Sequence, residues 1–143
     1  LRYDGRTHRW HAVAKLNAAQ ADSRAVRLDD GSILVAGDED HAEVYDPKHD
    51  RWHLTGALPF PVIEASLVAL QNGDALLIGG ESTLGATDEI LEYDVRHNRW
   101  VRETSLELPN RLLTATTLRS GDVLIAGGED GMTPHDSAYV FQP

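Results

Sequence analysis

YDPKHDRW, at Tyr45–Trp52, decides how this chain is read, because its frame recurs as YDGRTHRW at Tyr3–Trp10 and as YDVRHNRW at Tyr93–Trp100. In each copy Tyr-Asp and Trp stand at one fixed spacing, with Arg immediately before the Trp. A glycine follows each tryptophan at a constant distance, from Trp10 to Gly31, Trp52 to Gly73 and Trp100 to Gly121. A second glycine follows the first at another constant distance, as Gly37, Gly79 and Gly127. Only one interval varies: Gly37 to Tyr45 is short, whereas Gly79 to Tyr93 and Gly127 to Phe141 are longer and equal to each other. A fixed period with one elastic interval is the signature of a repeat whose length differences fall in a single loop.

Within a unit, short apolar runs alternate with turn chemistry and none reaches helical length, so the pattern predicts four strands, a to d. Strand a ends at Leu28, Leu70 or Leu118. A tight turn at Asp30-Gly31, Asn72-Gly73 or Ser120-Gly121 follows, where glycine supplies a positive φ. Strand b is continuously apolar (Ile33–Ala36, Ala75–Ile78, Val123–Ala126), which calls for cover on both faces. Strand c carries Val44-Tyr45, Leu91–Tyr93 and Tyr139–Phe141. Strand d begins near each tryptophan and turns polar, as expected at an outer edge.

Four strands repeating at the period set by Trp10, Trp52 and Trp100, with glycine doublets Gly79-Gly80 and Gly127-Gly128 after b, Tyr-Asp on c and tryptophan on d, resemble the kelch β-propeller family. The resemblance spans the chain. It departs in three places: the first doublet is Gly37-Asp38, the arginine and histidine expected near strand a survive only as Arg111, and the last unit replaces Tyr-Asp with Phe141-Gln142. The fold it implies is all-β, with three four-stranded blades forming part of a ring. Residues 1–10 supply the outer strand of a shared blade, and 11–54, 55–103 and 104–143 form three blades, the last without its outer strand. Propellers close with about four to eight blades. The expectation is therefore six blades, completed by missing sequence or by a second copy whose strand at Trp10 fills the gap. The chain starts at Leu1, in phase with the repeat, and is expected to be a piece of something longer.

Composition narrows the function classes. The 143 residues carry 13 Lys and Arg against 23 Asp and Glu, a net charge of −10 that opposes nonspecific phosphate-backbone binding. With no cysteine there is no disulfide framework, thiolate metal site or cysteine nucleophile, and the cysteine-linked tyrosine of kelch-type copper oxidases cannot form. No apolar run is long enough to span a bilayer as a helix. The chain is expected to be soluble, and its compartment is not legible. The seven histidines show no metal-ligand spacing, and no phosphate loop, nucleophile elbow or paired-acid motif occurs. No metal and no cofactor are expected.

In an up-and-down sheet the b–c and d–a connections share one end. That end gathers Asp38, Glu39, Asp40, Glu81, Asp88, Glu129, Asp130, His135 and Asp136 in its b–c loops, which sum to −8 with His neutral. Loops on a rigid scaffold are where recognition usually resides, and a negative rim attracts cationic or polyhydroxyl groups. Arg24, Arg111 and Glu64 lie near the start of strand a. An arginine there could grip a carboxylate bidentately, or pair with a loop carboxylate such as Asp22 or Glu107. Tyr3, Trp10, Tyr45, Trp52, Tyr93, Trp100 and Phe141 are read as packing residues, Gly37, Gly79, Gly80, Gly127 and Gly128 as backbone devices, and the aspartate after each tyrosine as a turn former. The resemblance implies a noncatalytic module that binds a partner protein or a sugar-like ligand. Its alternatives are a piece of a sugar epimerase or oxidoreductase with an axial pocket, and a self-assembling ring scaffold.

Overall fold

The computed structural model describes residues 1–38 and 40–143 and has no helix among them, hence none long and apolar enough to cross a membrane. β1 (Arg2–Asp4) and β2 (Arg9–His11) form a hairpin. β3 (Arg24–Arg27), β4 (Ile33–Ala36), β5 (Glu43–Asp46) and β6 (Arg51–Leu54) form an antiparallel sheet in chain order. The next sheet has β7 (Ser66–Ala69) and β8 (Ala75–Ile78), is interrupted by a short ribbon of β9 (Glu81–Ser82) and β10 (Gly85–Ala86), and resumes with β11 (Ile90–Asp94) and β12 (Arg99–Arg102). β13 (Thr114–Thr117), β14 (Val123–Ala126) and β15 (Ala138–Phe141) make a three-stranded sheet. None of these sheets closes on itself. The ribbon replaces what the sequence presents as plain b–c loop; Thr83 and Leu84 make its turn, and Gly85 leaves it at φ 109°.

Local chemistry accounts for both turn types. Gly31, Gly73 and Gly121 sit at φ 88°, 97° and 99°, and each amide bonds back to the carbonyl of Leu28, Leu70 or Leu118. In the c–d turns, Asp4 Oδ1 accepts from the Arg6 amide at 2.8 Å and Asp46 Oδ1 from the Lys48 amide at 2.9 Å. Asp94 Oδ1 accepts from the His97 amide at 3.1 Å. The fifth residue after each tyrosine is left-handed (His8 φ 55°, Asp50 φ 50°, Asn98 φ 50°), a conformation small polar side chains tolerate best. That same residue meets the tyrosine hydroxyl: Tyr3 with His8 Nδ1 at 2.8 Å, and Tyr45 and Tyr93 donating to Asp50 Oδ1 and Asn98 Oδ1 at 2.7 Å. Each tyrosine also stands opposite its tryptophan, with ring centroids 5.0–5.2 Å apart.

The sheets stack face to face, and alternation along β8 shows how. Ala75 and Leu77 point into one apolar cluster with Leu34, Ala36, Tyr93 and Trp100, while Leu76 and Ile78 point into another with Val123 and Ile125. The continuous apolar run of β8 is thus covered on both sides, as its sequence requires. β14 is covered on one side only: Leu124 and Ala126 face away from the second sheet and stay half-buried. The aromatic positions also diverge. Tyr45, Tyr93 and Trp100 are buried, but Tyr3 and Trp10 are 47% and 65% exposed, because no sheet lies over the first hairpin.

Candidate functional site

Four side chains converge at the loop end between the second and third sheets. Two short backbone pairings bring them there. The Ile63 and Glu81 amides and carbonyls exchange bonds of 2.9 and 2.8 Å, and those of Arg111 and Glu129 exchange bonds of 2.8 and 2.9 Å. Each pairing ties a d–a connection to the b–c loop of its own unit. The glycine before each glutamate allows the approach: Gly80 and Gly128 have φ 105° and 95°, and a Cβ on Gly80 would stand 2.6 Å from Ile63 O, one on Gly128 2.7 Å from Arg111 O. No side chain larger than hydrogen fits without moving backbone.

Arg111 then reaches three carboxylates. Its Nη1 donates to Glu64 Oε2 at 2.8 Å and to Glu81 Oε2, and its Nη2 donates to Glu129 Oε1 at 2.7 Å. Burial would lower the guanidinium's pKa, but the charges of Glu64 and Glu81 and the bond to Glu129 outweigh it and hold the pKa above its ordinary value. One cation against three anions leaves the cluster two charges negative. All four side chains remain partly accessible, between 22% and 34%. Glu64 contributes from a strained backbone (φ 56°), with its carbonyl accepting the Leu112 amide at 3.0 Å.

The remaining candidates are dispersed. Arg24 is exposed and donates to the carbonyls of Asp22 at 2.8 Å and Ser23 at 3.4 Å, so it belongs to its own turn and has no part in the Arg111 cluster. Arg111 pairs with neither Asp22 nor Glu107. Glutamates carried on three separate connections displace them, because the linker–loop pairings bring two of those glutamates to it. Asp38 accepts the Ala21 amide, and Asp40 approaches His41 Nδ1 at 3.4 Å. Glu39 lies outside the described residues. Asp130 Oδ1 accepts the Met132 and Thr133 amides at 2.8 Å, and these bonds, Thr133 first, lower its pKa. The His135 amide bonds Gly128 O at 2.8 Å, while Asp136 is exposed. Asp88 is half-buried, and its carbonyl accepts the Leu106 amide at 2.8 Å.

A buried carboxylate escaped the sequence reading. Glu43 is fully buried, and its two oxygens accept the Asn17 amide at 3.0 Å, Asn17 Nδ2 at 2.6 Å and the Ala18 amide at 3.2 Å. It clamps the segment leading into β3, assisted by Trp52 Nε1 donating to Ala14 O at 3.0 Å. The available signal was a charge in Ala42-Glu43-Val44 where the second unit has Leu91.

Concavities occur at both ends of the sheets. A cavity of about 440 Å³ lies at the opposite, turn end between the first two sheets, lined by Leu28, Asp30, Val44, Lys48, Tyr93 and Val95 among others. Hollows at the loop end are smaller, about 220 Å³ beside Glu81 and about 290 Å³ beside Phe60 and Arg102. Among the described residues no group of three His, Asp or Glu is arranged to hold a metal ion. No protein-family model matches the chain, and no curated protein matches it.

Proposed function

We propose that the stacked sheets are blades of a kelch-type β-propeller and that the chain is a noncatalytic binding module whose b–c and d–a loops recognise a cation-bearing or polyhydroxyl partner. The carrying observation is the convergence of Glu64, Glu81 and Glu129, from three different connections, on one guanidinium. The excess negative charge is held by backbone pairings and so needs no ordering upon binding, which spares the partner that entropic cost. In the sequence, Glu39, Glu81 and Glu129 occupy one repeat position, the second after Gly37, Gly79 and Gly127. Lysine or arginine side chains of a protein fit such a rim best; sugar hydroxyls fit it without net charge.

The test is binding to an array of lysine- and arginine-rich peptides and neutral glycans, with the intact chain and a Glu81→Gln, Asp88→Asn, Glu129→Gln, Asp136→Asn variant. Binding to basic peptides that weakens at least tenfold in the variant and falls with added salt is expected, since partly exposed charges are screened. Absence of binding to either class, or binding that the variant leaves unchanged, refutes the reading.

A further inference from the structure

The geometry points to a pocket for one lysine side chain of a partner protein, in the hollow that Pro61, Val62 and Ile63 of the d–a connection form with Glu81, Ser82 and Thr83 of the ribbon. The proposal deepens the reading of the acidic loops and rests on it. Both walls belong to the second unit, and the paired amides and carbonyls of Ile63 and Glu81 hold them side by side, so the hollow exists before anything binds. It measures about 220 Å³, below the roughly 300–1,000 Å³ of small-molecule sites, and so suits a single side chain better than a whole ligand.

Glu81 belongs both to this hollow and to the Arg111 cluster: its side chain lines the one, and its Oε2 accepts from Arg111 Nη1 in the other. The guanidinium engages one oxygen of each glutamate, Glu64 Oε2, Glu81 Oε2 and Glu129 Oε1. The second oxygen of each has no hydrogen-bond partner among the described residues. Asn110, 2% exposed, leaves a further acceptor unused, its Oδ1 beside Gly128. Glu81 is the most accessible of the three glutamates. Two uncompensated charges and unused acceptors call for a second cation beside Arg111. Among the described residues the carboxylates are not grouped to hold a metal ion, which leaves an organic cation.

Wall chemistry selects among the cations. A sugar in the hollow would press hydroxyls against Pro61, Val62 and Ile63, where they find no partner. Arginine carries five N–H donors, one of them on Nε within the stem, so part of its fork would face the same apolar wall. Lysine keeps all three donors at its tip. Its methylene stem lies along Pro61, Val62 and Ile63 while the ammonium meets the unused Oε1 of Glu81, the usual compromise of a long charged side chain on an apolar surface.

The experiment titrates the intact chain with four end-blocked tripeptides at millimolar concentration, glycine on either side of lysine, arginine, norleucine or diaminobutyrate, and follows backbone amide signals by NMR. The lysine peptide is expected to shift the Ile63 and Thr83 signals. It should bind roughly fivefold more tightly than each of the others, because norleucine lacks the charge, diaminobutyrate the length and arginine the compact head. Added salt should weaken it, since Glu81 is partly exposed. Thr83→Trp, at an exposed turn residue, fills the hollow from its rim, and Glu81→Gln removes the charge. Each should lower the affinity for the lysine peptide roughly fivefold with unchanged circular dichroism. A lysine peptide that binds no better than any one of the other three, or that binds either variant as well as the intact chain, overturns the pocket and leaves the acidic rim's general preference for cations standing. Failure of all three cationic peptides to bind overturns both.

Discussion

Leu76 and Leu124 hold the same position of strand b in successive repeats, yet replacing them by alanine should have very different consequences. Leu76 is fully buried between the second and third sheets, with Ile78, Val123 and Ile125 around it. Its truncation removes three carbons, about 2 kcal/mol of transfer free energy at roughly 0.8 per methylene. Neighbours on both sides cannot collapse into the space, and the cavity brings the total to about 3–4 kcal/mol. Leu124 is half-buried on a face that no sheet covers, so water fills the space and only part of the transfer energy is lost, about 1 kcal/mol. At about 3 °C per kcal/mol for a chain of this size, the melting temperature should fall by about 10 °C for Leu76→Ala and about 3 °C for Leu124→Ala. Urea titration followed by far-UV circular dichroism on dilute protein gives the comparison, with an unchanged denaturant slope confirming that stability alone has moved. Equal costs, or a greater cost at Leu124 in dilute protein, would refute the stacking order described above.

Two other outcomes follow from the c–d turns. Asn98→Ala should cost about 2 kcal/mol, one part from the lost bond to the buried Tyr93 hydroxyl and one from placing a Cβ-bearing residue at φ 50° without local compensation. Asn98→Gly, which loses the bond but not the conformational match, should cost about 1 kcal/mol, and urea midpoints that reverse this order would sink the argument. Asp46 has its pKa lowered to about 2, chiefly by His49 and then by the Lys48 and His49 amides. A depressed carboxylate stabilises the fold above its unfolded pKa of 3.8 and loses that contribution as pH falls toward 2, so Asp46→Asn should be less stable than the intact chain near neutrality. The two should converge between those values; a stability difference that does not change with pH would show that the charge is immaterial.

Much of the local architecture was legible because it depends on neighbours in the sequence. Apolar strand b, the glycine turn before it, the Asp that binds amides two or three residues on and the Tyr–Trp spacing all act over short spans, and each repeats. The ribbon at Glu81–Ala86 was not legible, since its strands are too short to show alternation. Nor was Glu43, whose amide donors lie 25 and 26 residues away on a connection without periodic pattern.

What the amino-acid order determined by itself is the unit: its period, four-strand plan, turn types and aromatic pairing, all set by steric and hydrogen-bonding rules acting over short spans. What only tertiary structure decided is which units find a neighbour and which loops meet. Arg111 binds glutamates 18, 30 and 47 residues distant because two backbone pairings bring their connections together. Leu76 is sealed while Leu124 is open because a sheet lies over one and not over the other. Burial and long-range ion pairing depend on what stands opposite a residue, and that is a property of the stack rather than of the repeat.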